Sequence, residues 1–260
     1  MAQLPRPLIE QLKNEFAPRA LSVMLTGSFA RGEATAYSDV DLIRYMVEPP
    51  KTERERYTLT VRQGYLISLT QVTIEEQETD MQKPEKAIMV VPSLRQGQVL
   101  YDPRSHLHYL RKKAFDFEWE PLQKAANEYV AEELMGFAEE AHKIISAILT
   151  KNESAVVYGS MSLVLAMPRL FAVQQGMMIR SENSLFSQVQ EAVGDESNWT
   201  KYHRKAMGMD AVAEDGAVFE RGRAALSLYR ETVAFMGKFL QPKQTEVVQN
   251  ALNAIKNYGG

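Results

Sequence analysis

The residues best equipped for chemistry lie in one stretch, Thr26-Gly27-Ser28-Phe29-Ala30-Arg31-Gly32-Glu33-Ala34-Thr35-Ala36-Tyr37-Ser38-Asp39-Val40-Asp41-Leu42. A Gly-Ser turn lets backbone N–H groups approach an anion closely, because glycine has no Cβ in the way. Ser28 adds a hydroxyl donor at the turn. Arg31 stands where a short helix is expected to begin, and its guanidinium suits phosphate oxygens. Asp39 and Asp41 are i, i+2, so on a strand both carboxylates point to one face. Two carboxylates beside a phosphate cradle describe a Mg²⁺ site, since magnesium keeps waters and binds through one or two carboxylates plus substrate phosphates. The bland alternative is a β-turn followed by two surface acids.

These groups need strands to hold them. Ala20 to Leu25 is short, apolar and bounded by Gly27, which reads as a buried strand; Asp39 to Val47 reads as a second. Leu8 to Phe16 reads as a helix after Pro5 and Pro7, with Leu8, Ile9, Leu12 and Phe16 on one stripe. Tyr57 to Arg62 and Tyr65 to Val72 form a hairpin pattern about Gly64. Thr73 opens a helix whose first turns carry Glu75, Glu76 and Glu78, and Val99 to Tyr101 is a short edge strand. Beyond Pro121 the period changes. Val130, Leu134, Phe137, Ala141, Ile144 and Ile148 step by 4, 3, 4, 3 and 4, the signature of an amphipathic helix. Helices are expected at 154–176, with Pro168 kinking it, and at 184–193, 215–239 and 244–258. Loops fall near Asn152, Arg180–Asn183 and Glu214–Gly216. The expected architecture is α+β: an α/β half over 1–118 with a mixed, mostly antiparallel sheet, then an all-helical bundle over 119–260.

Composition bounds the function. The 260-residue chain has no cysteine, which removes disulfides, thiolate zinc sites and cysteine nucleophiles. A net charge of −3 removes the global basic field of nonspecific nucleic-acid binders, so nucleic acid is not an expected partner. No secretory leader or membrane span is read, and a cytoplasmic protein is expected.

The Thr26–Leu42 stretch resembles the signature of the DNA polymerase β-like nucleotidyltransferase superfamily, Gly-Ser followed about ten residues on by Asp-x-Asp. The resemblance implies transfer of a nucleoside monophosphate, with AMP from ATP the first expectation, to a hydroxyl, with pyrophosphate leaving. It assigns Gly27, Ser28, Arg31 and Ser38 to the nucleotide and Asp39 and Asp41 to metal. The second half looks most like the helical domain of the kanamycin nucleotidyltransferase type, on Glu132-Glu133-Leu134 early in a long helix and the Met-rich helix after it. That type implies a homodimer and an aminoglycoside-like acceptor.

Two positions depart from the pattern. The superfamily carries a third carboxylate on a later strand; on Tyr65–Val72 that position falls on Ser68, which supplies no charge. The kanamycin type uses a helical-domain glutamate as general base, and aligning Glu-Glu-Leu puts Gly136 there. At 100° per residue Glu132, Gly136, Glu139 and Lys143 share one stripe. Glu132 and Glu139 are therefore the candidate bases, and Lys143 the candidate contact to a triphosphate, against the plainer reading of a solvated face. The departures motivate a second hypothesis, a nucleotide-binding regulatory protein with little transfer activity.

Other groupings carry less. His106 and His108 stand among Arg104, Arg111, Lys112 and Lys113 and read as a solvated helix face, with an anionic-ligand surface as the sharper alternative. Met161, Met167, Met177 and Met178 read as adaptable packing. Trp199 to Lys205 interleaves aromatics with bases, which fits either a helix edge or a ligand contact.

Overall fold

A computed structural model of the protein describes residues 2–210 and 216–258. Its contacts divide the chain into two compact units, Met1–Trp119 and Glu120–Gly260.

The first unit opens with α1 (Arg6–Phe16), whose Leu8, Leu12 and Phe16 are buried, and β1 (Ala20–Thr26). The short α2 (Gly27–Arg31) leads through a loop to β2 (Val40–Met46). Arg31 thus ends the short helix rather than starting one, because the turn begins at Gly27. Asp39 immediately precedes β2. After α3 (Glu53–Arg56) come β3 (Tyr57–Arg62) and β4 (Tyr65–Thr73), joined at Gln63-Gly64, both with positive φ as a tight hairpin requires. Thr73 caps α4 (Ile74–Met81) reciprocally with Glu76. Then follow α5 (Pro84–Gln96), absent from the sequence-based expectation, β5 (Gln98–Tyr101) and α6 (His106–Phe115).

The sheet order is β3-β4-β2-β1-β5. Only β2 and β4 run parallel; the other three pairings are antiparallel. Alternation sends Val40, Leu42, Ile67 and Leu69 into the core under α1, together with Val23 and Leu25. Asp41 and Ser68 therefore belong to the opposite face. The buried Ser22 on β1 donates its hydroxyl to Asp102, which also accepts from the first N–H groups of α6 and so pins that helix to the sheet. On β3 and β4 the same parity leaves Tyr57, Leu59, Val61 and Leu66 exposed.

The second unit is helical: α7 (Gln123–Leu149), α8 (Glu153–Gln175), α9 (Leu185–Val193), α10 (Asn198–Met207), α11 (Ala217–Met236) and α12 (Pro242–Tyr258). The expected stripe of α7 is buried at Val130, Leu134, Ala141, Ile144 and Ile148, but Ala138 takes the core position next to a half-buried Phe137. Glycine lets neighbours approach: a Cβ on Gly159 would stand 2.7 Å from Ile144 of α7, and one on Gly222 2.7 Å from Val156 of α8. α8 is the one described helix long and apolar enough to cross a membrane, and 61% of that window is buried inside the protein. Of the expected loop at Glu214–Gly216, residues 214 and 215 lie outside the described residues, as does the first residue of the helix expected over 215–239.

Candidate active site

Gly27 has φ of 67°, and a Cβ built on it would overlap the Oδ2 of Asp41. The left-handed backbone and the missing side chain serve one end, which is to let the Asp41 carboxylate rest on the Gly-Ser turn. Asp41 is opposite Thr26 across the antiparallel β1–β2 pair and opposite Ser68 across the parallel β2–β4 pair. The Thr26 hydroxyl lies 2.9 Å from that of Ser93, tying the end of β1 to α5.

The electrostatics of Asp41 follow from this seat. Burial, and then the charge of Asp39, push its carboxyl up to about 6; Arg31 and the Ser68 hydroxyl partly offset them. Arg31 is held 2.8 Å from Glu33, so its charge is shared between that ion pair and the carboxylates. Asp39 and Ser28 are half-buried, and neither side chain forms a hydrogen bond among the described residues. The Ser38 hydroxyl is spent locally, accepting from the Thr35 N–H at 2.9 Å, so it shapes the loop before Asp39.

The sequence places Tyr57 only as the first residue of a strand and not in the site. Its hydroxyl lies 3.3 Å from that of Ser68. The hairpin pairs Leu59 with Ser68 and Tyr57 with Thr70, so register counted back from Gly64 places Tyr57 on the same face as Ser68.

Gly27, Ser28, Arg31, Asp39, Asp41 and Ser68 thus meet around the carboxyl ends of β1 and the start of β2. Ser68 sits beside Asp41 in register, and no other acid stands on β3 or β4. Among the described residues no group of three or more His, Cys, Asp or Glu side chains is arranged to hold a metal. Two crowded carboxylates, one of them desolvated, still fit a divalent cation that takes its remaining ligands from water and phosphate.

The residues expected from the helical half stand in the second unit. Glu132 accepts a hydrogen bond from Gln244 of α12 at 3.0 Å. Lys143 lies 2.9 Å from Glu139 and 2.8 Å from Glu140, and these bonds raise its pKa. Gly136 lines a cavity of about 690 Å³ between α7 and α12, with Glu139, His142 and Asn250. The His106 and His108 pair opens α6 and joins no metal cluster. Trp199 and His203 are core residues of α10, which removes the ligand-contact reading of Trp199–Lys205 at those two positions.

Residues 6–97 match the family model of the nucleotidyltransferase domain. The chain carries a nucleotidyltransferase domain. It is the domain that holds the Gly-Ser turn and the Asp-x-Asp pair, and its membership agrees with the polymerase β-like signature. A nucleotidyltransferase-like protein from Exiguobacterium sibiricum 255-15 is similar in structure over 97% of this chain and 88% of its own, at 13% identity and a TM-score of 0.46. No curated protein matches the chain.

Proposed function

We propose that the protein is an adenylyl- or other nucleotidyltransferase that moves a nucleoside monophosphate from a Mg²⁺-bound NTP, with ATP the first candidate, to a hydroxyl of a small acceptor. The observation that carries this reading is the Asp41 carboxylate seated on Gly27. A half-buried acid crowded by a second one beside a glycine turn, and only partly offset by Arg31, leaves negative charge that a metal–phosphate ligand would neutralise.

In this reading the new bond joins the acceptor oxygen to the α-phosphorus, and the bond to the pyrophosphate oxygen breaks. Asp39 and Asp41 would hold the cation, which neutralises charge on the phosphates. The Gly27–Ser28 turn and Arg31 orient the phosphates, Arg31 trading its contact with Glu33 for theirs. Catalysis of this kind is mostly positioning and charge neutralisation. The acceptor proton needs a base. Glu132, bonded to the neutral amide of Gln244, is a better candidate than Glu139, whose charge is engaged by Lys143. For Lys143 to meet a triphosphate it must leave Glu139 and Glu140. The resemblance of the helical half supports an aminoglycoside-like acceptor and a homodimer.

A second reading has its own observation. Ser68 occupies the register position beside Asp41 and brings no charge. A nucleotide-binding regulatory protein with weak or no transfer would look the same. Incubation with α-labelled ATP, Mg²⁺ or Mn²⁺ and acceptors spanning aminoglycosides, nucleotides and proteins separates the two. Acceptor-dependent pyrophosphate release that vanishes in Asp39→Ala supports the enzyme. Mg-NTP binding that vanishes in Asp39→Ala, without release, supports the regulator.

A further inference from the structure

The helical unit contains a second cavity, of about 310 Å³, lined by Val157, Met161, Val164, Phe186, Met207 and Val218, with Ser160 and Arg221 as its polar members. That volume is at the low end of small-molecule pockets, roughly 300–1,000 Å³. Three features separate it from a packing fault. Ser160 is 4% exposed and its hydroxyl finds no hydrogen-bond partner among the described residues, a cost that a ligand atom would remove. Arg221 makes no ion pair among the described residues. Among the described residues the acids near it in the chain are committed elsewhere: Glu220 to Lys205 and Arg223, and Asp210 to Arg204. Its guanidinium lies against the backbone of Gly208, where a Cβ would collide with it, so the left-handed cap of α10 makes room for that charge.

The wall behind the cavity is chemically complete. Phe186 meets His203 edge to face at 4.9 Å, and both ring nitrogens of His203 are bonded, to Gln190 and to the Val164 carbonyl. Among the described residues, what remains unmatched is one buried hydroxyl and one cation on an otherwise apolar slot.

We infer that this cavity binds a small amphipathic carboxylate, an apolar body of roughly ten carbons filling the slot with its carboxylate paired to Arg221 and accepting from Ser160. The residues that line the slot all belong to the second unit, so the inference does not depend on the transferase reading. A cation at the rim with no unpaired acid beside it among the described residues selects an anion over a neutral or cationic analogue of the same length.

The test is calorimetric titration of the full chain with decanoate and, as uncharged control, 1-decanol. Decanoate should saturate one site and bind about tenfold more tightly than decanol. Arg221→Met should bring decanoate down to the decanol level and leave decanol unchanged. Arg221 is exposed, so this variant should keep the wild-type melting temperature, which is measured alongside. Ser160→Ala should weaken decanoate severalfold. No saturation at millimolar decanoate, or equal affinity of Arg221→Met and wild type, overturns the inference.

Discussion

Asp41 in the sheet unit and His203 in the helical unit are both displaced titratable groups, and burial is the leading cause for each. Their surroundings differ. His203 is fully buried, stacked 5.2 Å from Trp199, with Nδ1 accepting from Gln190 and Nε2 donating to Val164; its pKa falls to about 4. Every polar atom is used, and the ring is neutral. Asp41 is raised to about 6 with a second acid beside it and a glycine cleared for its approach. A displaced pKa with all partners supplied marks a core residue. A displaced pKa crowded by like charge marks a place awaiting a ligand.

The largest effect that would break this contrast is on activity. Asp39→Ala and Asp41→Ala should each lower nucleotidyl transfer by about 10³-fold or more, measured as pyrophosphate release, because positioning and charge neutralisation carry this chemistry. Gly27→Ala should do nearly as much, since its methyl occupies the seat of the Asp41 carboxylate. His203→Ala should leave Mg-NTP binding intact but cost about 3 kcal/mol of stability in the helical unit, by cavity and by orphaned Gln190 and Val164 groups. Equal activity losses at both sites would erase the distinction.

The next effect is on stability against pH, in EDTA. The folded state holds the Asp41 proton up to about 6 while the unfolded chain releases it near 3.8. This contribution therefore falls as pH rises through that window. His203 has the opposite slope: the unfolded ring binds a proton below 6.5 and the folded one only near 4, so stability falls as pH drops through that window. Asp41→Asn should be more stable than wild type at pH 7.5 by about 1–2 kcal/mol, a figure reduced for residual solvent around the carboxyl. A variant no more stable than wild type would show that Asp41 is not frustrated. Denaturant melts at pH 4.5, 6 and 7.5 check both slopes.

Much of this was legible in residue order. The Gly-Ser turn, the acid pair and the hairpin about Gly64 follow from local chemistry, as does the capping of α4 by Thr73. The long-range pairings were not. That Ser68 lies beside Asp41 depends on the parallel β2–β4 register, which no short motif encodes, although the alignment with the superfamily had put Ser68 at that place. Tyr57 was missed because it matters only through that pairing. The two Gly-Ser pairs show the limit well. Gly27-Ser28 needs a positive φ and receives a carboxylate, while Gly159-Ser160 is helical and receives Ile144. In residue order the helical pattern around the second pair and the acid pair downstream of the first tell them apart. Helix α5 went unread because Pro92 interrupts its pattern, and inside the helix the buried Ile88, Val91 and Leu94 compensate.

The smallest effect sharpens the comparison at the strand itself. Ser68→Asp adds a carboxylate beside Asp41, on a strand already opposite it in register. Without metal the added charge should raise the Asp41 carboxyl further and cost stability above pH 6, by the same like-charge crowding that Asp39 imposes. With Mg²⁺ or Mn²⁺ the sign should reverse: a third ligand tightens the cation severalfold, read as a larger metal-induced rise in melting temperature than wild type shows. The two halves of this result test different things. Loss of stability without metal tests the register. Gain with metal tests whether the crowded pair is a metal seat. If transfer also speeds up, the missing acid was limiting turnover; if metal tightens and transfer stays absent, the protein binds nucleotide as a regulator and the chemistry has been given up at Ser68.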